Sequence, residues 1–189
     1  MELSEAQLID CVLRGEAQGY RDMVERYGRQ VQLVVAQMVE DEDDVAELTQ
    51  DVFVKVFESM EQYDASRASL STWMSRIAYN VAANHFRRWR PKVIRLAEEA
   101  LEVLSYSDSP EGLVNQKVAD IRVELLDEAI GRLRPEERLL VHLKYYEGQS
   151  LAEISYIMDV REGALASRLK RIRHKLKRLI MTQEHETDR

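Results

Sequence analysis

Residues 150–177 read SLAEISYIMDVREGALASRLKRIRHKLK and decide how the C-terminal half of the chain folds. Apolar residues recur at three- and four-residue spacing on both sides of a short break, which predicts two amphipathic helices joined by a tight turn. The first helix places Leu151, Ile154 and Ile157 on its inner face, and Val160 lies in the turn between the helices. The second helix keeps four residues for the core, namely Leu165, Leu169, Ile172 and Leu176.

The outer face of the second predicted helix is strongly basic. Residues 161–182 contain eight Lys and Arg and one Glu. Such a helix suits the major groove of DNA, because its exposed cations neutralise phosphates and Arg pairs with guanine edges. A solvated basic face is the alternative, but the charge excess behind helix-turn-helix spacing favours DNA binding. The segment alone does not distinguish among the classes of protein that use this motif.

Charge is distributed unevenly along a chain whose net charge is −7. Residues 67–95 and 161–182 each have a balance of +7, whereas residues 1–66 and 96–160 have balances of −11 and −8. Two basic blocks separated by acidic ones predict two DNA contacts on a protein that elsewhere repels DNA.

The remaining pattern predicts an all-α protein of two small domains joined by a flexible linker. The 189 residues include only 7 Gly and 3 Pro, which disfavours a turn-rich β fold. Ser4 with Gln7 predicts the first helix start, the acidic residues 40–44 favour the start of the third helix, and Pro135 begins a later helix that Gly148 ends. We expect four helices, a linker with a short helix at about residues 97–104, and four more helices.

Several functional classes are disfavoured by composition. No apolar run approaches the ~18 residues of a membrane span, and the N-terminus has no signal-peptide pattern. Cys11 lies among apolar residues and is interpreted as a small buried hydrophobe. The four histidines (His85, His142, His174, His185) are scattered without metal-ligand spacing, and no nucleophile or phosphate-loop motif is present. We therefore expect no catalytic centre, no metal and no cofactor, in a cytoplasmic protein.

The end of the fourth predicted helix combines cations, amides and aromatics, with no anion from Arg67 to Arg95. Amides and Arg read base edges, and aromatics stack on unpaired bases. Trp73 is interpreted as a core residue rather than as part of a base pocket. The third helix instead presents Glu47, Gln50 and Asp51, which suit a protein partner better than DNA, although charge runs of this kind are usually solvated faces.

Three stretches together resemble one family. Residues 44–57 (DVAELTQDVFVKVF) resemble the polymerase-binding helix of sigma region two, and residues 71–88 (STWMSRIAYNVAANHFRR) resemble the melting and minus-ten-reading segment that follows it. Residues 133–175, beginning LRPEER, resemble region four, which reads the minus-thirty-five element. The order of these stretches, without other regions, is similar to the extracytoplasmic-function (ECF) group of sigma-70 factors.

This resemblance implies roles for specific residues. The implied polymerase-binding residues, which face the β′ clamp helices, are Asp44, Glu47, Gln50, Asp51 and Lys55. The β subunit of the core enzyme is also an implied partner. The implied minus-ten DNA-binding residues, which bind the melted non-template strand, are Tyr63, Ser69, Leu70, Trp73, Arg76, Asn80, Asn84, Arg87 and Arg88. The minus-thirty-five DNA-binding residues are Arg161, Gly163, Ala164, Ser167, Arg168, Lys170 and Arg171. Asp159 stands where the family often has Gly, and Ala164 and Ala166 replace polar residues, which leaves the promoter sequence open.

The resemblance also implies an organisation and partners. Region two is expected at residues 1–91, a linker at 92–116, region four at 117–182 and a polar tail at 183–189. The expected partners are core RNA polymerase, duplex and single-stranded promoter DNA and an anti-sigma factor, without direct membrane insertion. A stand-alone helix-turn-helix regulator, with a dimerisation or sensor domain as its N-terminal half, is the competing hypothesis.

Overall fold

The computed structural model describes residues 3–89 and 119–187, and within them the chain is helical apart from short turns. The all-α prediction is confirmed. The predicted linker at residues 92–116, with its short helix, lies outside the described residues. The helices are α1 (Glu5–Leu13), α2 (Ala17–Met38), α3 (Glu42–Glu58), α4 (Leu70–Trp89), α5 (Ala119–Gly131), α6 (Pro135–Val141), α7 (Leu151–Met158) and α8 (Glu162–Thr187), with a 3₁₀ turn at Met60–Gln62 and a π turn at His142–Tyr146.

Helix starts in the N-terminal half follow local capping chemistry. The Ser4 hydroxyl accepts from the Gln7 amide at 3.3 Å, while the Gln7 side chain accepts from the Ser4 amide at 2.9 Å. Asp41 caps α3 by accepting from the amides of Asp43 and Asp44 at 2.9 and 3.1 Å. Both helix starts were predicted, the first from a capping-box pattern and the second from acidic residues near the helix dipole. In the structure, side-chain oxygens at both starts accept from amides that have no partner within the first turn.

Helix α2 is the centre of the N-terminal half and packs against α1, α3 and α4. Its buried stripe includes Met23, Val31 and Val35, which join Val52 of α3 in one apolar core. The crossing with α1 is close at Gly19, where a Cβ atom would lie 2.8 Å from the Cβ of Cys11. Only glycine fits at this crossing without displacement of backbone.

The C-terminal half contains the predicted helix-turn-helix as α7 and α8. Pro135 is the first residue of α6, as predicted. Helix α6 does not continue as a regular α-helix to Gly148, because the residues that follow it form the wider π turn. Gly148 then takes a φ of +67°. Ser150 caps α7. The core side chains predicted for the two helices are buried or partly buried, among them Ile154, Ile157, Leu165 and Ile172.

The two halves lie against each other. Helix α4 packs on α7, and α2 packs on α6. The apolar cluster is therefore continuous from α1 of the first half to α8 of the second. None of the described helices is both long enough and apolar enough to cross a membrane.

Candidate nucleic-acid interface

Helix α4 presents a continuous face of cations and amides. Asn80, Asn84, Arg87 and Arg88 are exposed and lie three to four residues apart, so they share one side of the helix. Arg87 donates a hydrogen bond to the side-chain oxygen of Asn84. The N-terminal member of this face, Arg76, is only partly exposed. These donors and acceptors suit base edges and phosphate oxygens.

The loop before α4 is held by hydrogen bonds and by an aromatic pair. The ring of Tyr63 lies 5.3 Å from that of Trp73, centroid to centroid, and its hydroxyl donates to the Ala68 carbonyl at 3.1 Å. Burial is the main cause that raises the pKa of Tyr63. Trp73 is 9% exposed, as its core interpretation predicts, and Leu70 is fully buried. Ser69 accepts from the Thr72 amide at 3.2 Å and so orients the start of α4.

Helix α8 places the predicted recognition residues at its N-terminal end. Arg161, Gly163, Ala164 and Ser167 are exposed there, together with Lys170 further along. A Cβ atom added at Gly163 would meet nothing within 4 Å, so packing within the chain does not require glycine at this position.

The cations of α8 do not all point outward. The Nη1 atom of Arg168 lies 3.7 Å from the Glu136 carboxylate. Lys175 belongs to the predicted outer basic face, yet its Nζ donates to Glu137 at 2.8 Å. Lys175 therefore links α8 to α6 instead of extending into solvent.

The exposed face of α3 carries the predicted polymerase-binding residues. Glu47, Gln50, Asp51 and Lys55 are exposed on this face. Asp44 is partly buried, and its carboxylate lies 3.4 Å from Nε2 of His85 on α4.

Sequence reasoning missed an apolar member of this face. Val54 is 52% exposed, four residues from Gln50 on the same side of α3. Helical periodicity could have revealed it, because Val54 points to the side of α3 opposite the buried Val52 and Val56.

Sequence reasoning also missed the residues that join the two halves. Arg76 Nη1 donates to the Tyr156 carbonyl at 3.0 Å, and Arg138 Nε donates to the Gln37 carbonyl at 3.2 Å. These pairs are 80 and 101 residues apart in sequence, a separation at which helical periodicity carries no information.

Family models match both halves of the chain. Sigma-70 region 2 matches residues 23–91, and Sigma-70, region 4 matches residues 123–176. Together they cover more than half of the chain, and they match most of α2, all of α3 and α4, and most of α5 to α8.

Relatives extend over nearly the whole chain. The ECF RNA polymerase sigma factor SigW of Bacillus subtilis is 27% identical over 183 residues, which are 94% of this chain and 97% of that protein. The ECF RNA polymerase sigma-E factor of Escherichia coli K12 is 26% identical over 180 residues, with coverage of 91% and 92%.

Solved structures share the fold. CnrH, in complex with the cytosolic domain of CnrY, has a TM-score of 0.62 at 20% identity and covers 93% of this chain and 96% of its own. The sigma factor RpoE of Bartonella quintana, in complex with the anti-sigma factor NepR, has a TM-score of 0.57 at 14% identity, with coverage of 87% and 98%. The two family models and the full-length relatives show that the chain belongs to the ECF group of the sigma-70 family of RNA polymerase sigma factors.

Proposed function

We propose that this chain binds core RNA polymerase, recognises the minus-thirty-five and minus-ten promoter elements and promotes strand opening. The observation that carries the proposal is the division of exposed surface among α3, α4 and α8. The face of α3 is mostly acidic and polar, whereas the exposed face of α4 carries cations and amides and that of α8 carries cations. Opposite charges on separate helices suit a protein that binds an enzyme and DNA at once.

The α3 face is the proposed contact with the β′ clamp helices, with the β subunit as a further contact of the chain. Glu47 and Asp51 repel phosphate, so a positively charged protein surface suits them better than DNA. Val54 adds apolar area at the centre of this face, where a partner would exclude water. The role of α3 rests on the family and on this exposed combination of charge and apolar surface.

The α4 face is the proposed minus-ten contact. Asn80 and Asn84 supply donors and acceptors for unpaired bases, and Arg87 and Arg88 supply charge for the backbone. Tyr63 and Ser69 shape the preceding loop. Leu70 and Trp73 are buried in the present conformation, so contact between either side chain and a base requires the loop to open first.

The N-terminal end of α8 is the proposed minus-thirty-five contact. Its exposed position behind the helix-turn-helix turn allows the helix to enter a major groove. The proposed contacts are Arg161, Gly163, Ala164, Ser167, Arg168, Lys170 and Arg171.

We further propose that an anti-sigma factor controls the protein in the cytoplasm, without direct membrane insertion by this chain. Support comes from the two solved structures of the same fold, because CnrH was solved with CnrY and RpoE with the anti-sigma factor NepR. The proposed activity needs no cofactor or metal. Catalysis belongs to the polymerase, not to this chain.

Run-off transcription with purified core polymerase tests the proposal, using a promoter library from which transcribed templates are selected. The expected result is a defined transcript that requires both the core enzyme and this chain. The result that would overturn it is a complete failure to initiate from any template, together with tight binding of duplex DNA by a dimer of the chain alone. That pair of results would favour the stand-alone regulator.

A further inference from the structure

Gln30 of α2 holds the start of α4 through several polar contacts. Its amide nitrogen donates to the hydroxyls of Ser71 and Ser75 at 2.7 and 2.8 Å. The same nitrogen lies 3.3 Å from the Ser71 carbonyl, and the amide oxygen accepts from the Ser71 hydroxyl at 2.9 Å. One side chain of α2 therefore contacts two residues of α4 that lie one turn apart.

The hydroxyls at the start of α4 lie in the interior. Within the described part of the chain, the buried polar residues are Thr72, at 3% exposed, and Ser75, at 1% exposed. The Thr72 hydroxyl accepts from the Ser69 hydroxyl at 2.9 Å, whereas that of Ser75 accepts from Gln30. Hydrogen bonds are directional, so buried polar partners specify one register of two packed helices more closely than apolar contacts do.

The beginning of the loop before α4 lies beside the same face of α2. Tyr27 precedes Gln30 by three residues, and its hydroxyl donates to the Glu5 carboxylate at 3.1 Å. Burial, followed by Glu5, raises the pKa of Tyr27 to about 12, so its hydroxyl stays protonated and donates. Glu5 also acts electrostatically on the phenol of Tyr63, where the loop begins, and α1 packs against the 3₁₀ turn before it. Helices α1 and α2 thus fix one end of the loop, and Gln30 fixes the other.

The register of α4 sets where its exposed amides lie relative to this loop. Asn80 and Asn84 follow Ser75 by five and nine residues, which is about 7 and 13 Å along the helix axis. A rotation or tilt of the first turns of α4 is carried along the helix to both amides. The loop and the amides therefore keep a constant separation only while the start of α4 is held in place.

We infer that Gln30 is a positioning residue for the minus-ten contact, an inference that rests on the proposed function. Gln30 acts through the two serines and holds α4 in the register in which residues 63–70 and the amides of Asn80 and Asn84 face one melted strand. Its loss should lower discrimination between minus-ten sequences, which depends on where the amides lie. Affinity that depends only on charge should persist, because Arg87 and Arg88 remain exposed.

Two variants separate positioning from stability. Gln30→Leu removes the amide and leaves the buried Ser75 hydroxyl without this partner, so it lowers both stability and the control of register. Gln30→Leu/Ser71→Ala/Ser75→Ala replaces both sides of the contact with apolar groups. This triple variant should recover most of the lost stability, since no buried hydroxyl is left without its partner, but it has none of the directional bonds.

Two control variants lie on the same helix. Gln32→Leu makes the same replacement on the exposed side of α2. Val34→Ala removes apolar volume at a site that is 1% exposed, so it lowers stability without removing a polar contact. Thermal unfolding ranks the stabilities and verifies that every protein is folded at the temperature of the assay.

The experiment measures sequence discrimination by the complete holoenzyme. Run-off transcription with the wild-type chain selects a template, and fluorescence anisotropy then compares its non-template strand with the same strand scrambled at the minus-ten element. We expect the ratio of the two affinities to fall about tenfold, the loss of one well-placed base contact, in Gln30→Leu and in the triple variant. Affinity for the scrambled strand should stay at the wild-type value, and both controls should keep the wild-type ratio.

A wild-type ratio in the triple variant would overturn the inference. An equal fall of the ratio in Gln30→Leu and Val34→Ala would also overturn it, because Gln30 would then act only through stability. Both outcomes leave the proposed function standing, since the wild-type chain still transcribes. If the wild-type chain supports no transcription with core polymerase, the proposed function fails and this inference fails with it.

Discussion

Glu137 shows how one side chain connects two elements of the C-terminal half. Its carboxylate accepts from Lys175 Nζ at 2.8 Å and from the Arg134 amide at 3.0 Å. Burial alone would raise its pKa, but the bonds from Lys175 and Arg134 outweigh burial and hold the pKa below the ordinary 4.5. The charged form of Glu137 therefore stabilises the junction of α6 with α8.

Acid should weaken this junction. Because the folded pKa of Glu137 lies below the unfolded one, its contribution is present above 4.5 and is lost as pH falls through the lowered pKa. We expect the free energy of unfolding, measured in urea between about pH 5 and pH 3, to fall more steeply for wild type than for Glu137→Gln. Equal slopes would show that Glu137 is not responsible.

A substitution at Gly163 should change stability and promoter affinity in opposite directions. Its Cβ space is open, so Gly163→Ala should raise stability by about 0.5–1 kcal/mol through helix propensity. We expect weaker promoter binding, because the added methyl group meets DNA that approaches the start of α8. Gly131→Ala, also in open space, is the control and should leave promoter binding unchanged. Unaltered promoter affinity of Gly163→Ala would place this residue outside the interface.

At the scale of elements, α3 should bind polymerase through its exposed face. Asp51→Lys reverses a charge on that face without touching the core, so we expect weaker association with core polymerase and unchanged helix content. Glu25→Lys makes the same reversal on the exposed side of α2 and should retain wild-type association. Competition for core enzyme, followed by circular dichroism, provides both measurements. Equal affinity of the two variants would exclude this face of α3.

Helix α8 should contribute to the salt dependence of DNA binding. Replacing Arg168 and Arg171 with Ala should lower promoter affinity and reduce the slope of log affinity against log salt by about one unit for each lost phosphate contact. Arg29→Ala/Arg132→Ala removes two exposed cations elsewhere and controls for net charge. Titration of promoter DNA at several salt concentrations gives the slopes, and an unchanged slope would mean that neither arginine of α8 contacts phosphate.

The elements that sequence predicts well are those set by local chemistry. Ser4, Asp41 and Ser150 lie within a few residues of the amides that they cap, so the local sequence is enough to indicate the helix start. The π turn after α6 was not predicted, because five residues with ordinary helix propensity do not reveal a widened turn. Exposure of Val54, by contrast, could have been predicted from helical periodicity, because Val54 is out of phase with the buried Val52, Phe53 and Val56.

At the scale of the whole molecule, the continuous core predicts cooperative unfolding. Burial shared between α2 and α6 and between α4 and α7 is lost when either half unfolds. We expect one calorimetric transition for wild type, with a calorimetric enthalpy equal to the van't Hoff enthalpy. Two transitions in wild type would contradict coupling.

The arrangement of the two halves could not be predicted from sequence, although the two helices with basic faces could. Charge and periodicity identify a basic face on α4, but they do not show that Arg76 donates to a carbonyl 80 residues away. Every residue has a backbone carbonyl, so the sequence does not indicate that the carbonyls of Tyr156 and Gln37 accept these hydrogen bonds. The same limit applies to Lys175, which was predicted to lie on the outer basic face but pairs with Glu137 of α6.

The close crossing at Gly19 has a consequence for thiol chemistry. Cys11 is 8% exposed, with the backbone of α2 against its Cβ atom, so an alkylating reagent or peroxide reaches the sulfur only when α1 leaves α2. The rate at which this cysteine is modified therefore measures the detachment of the first helix. A chain with its only thiol in such a position is insulated from oxidants while folded, and it acquires a reactive group when its N-terminal helix is displaced.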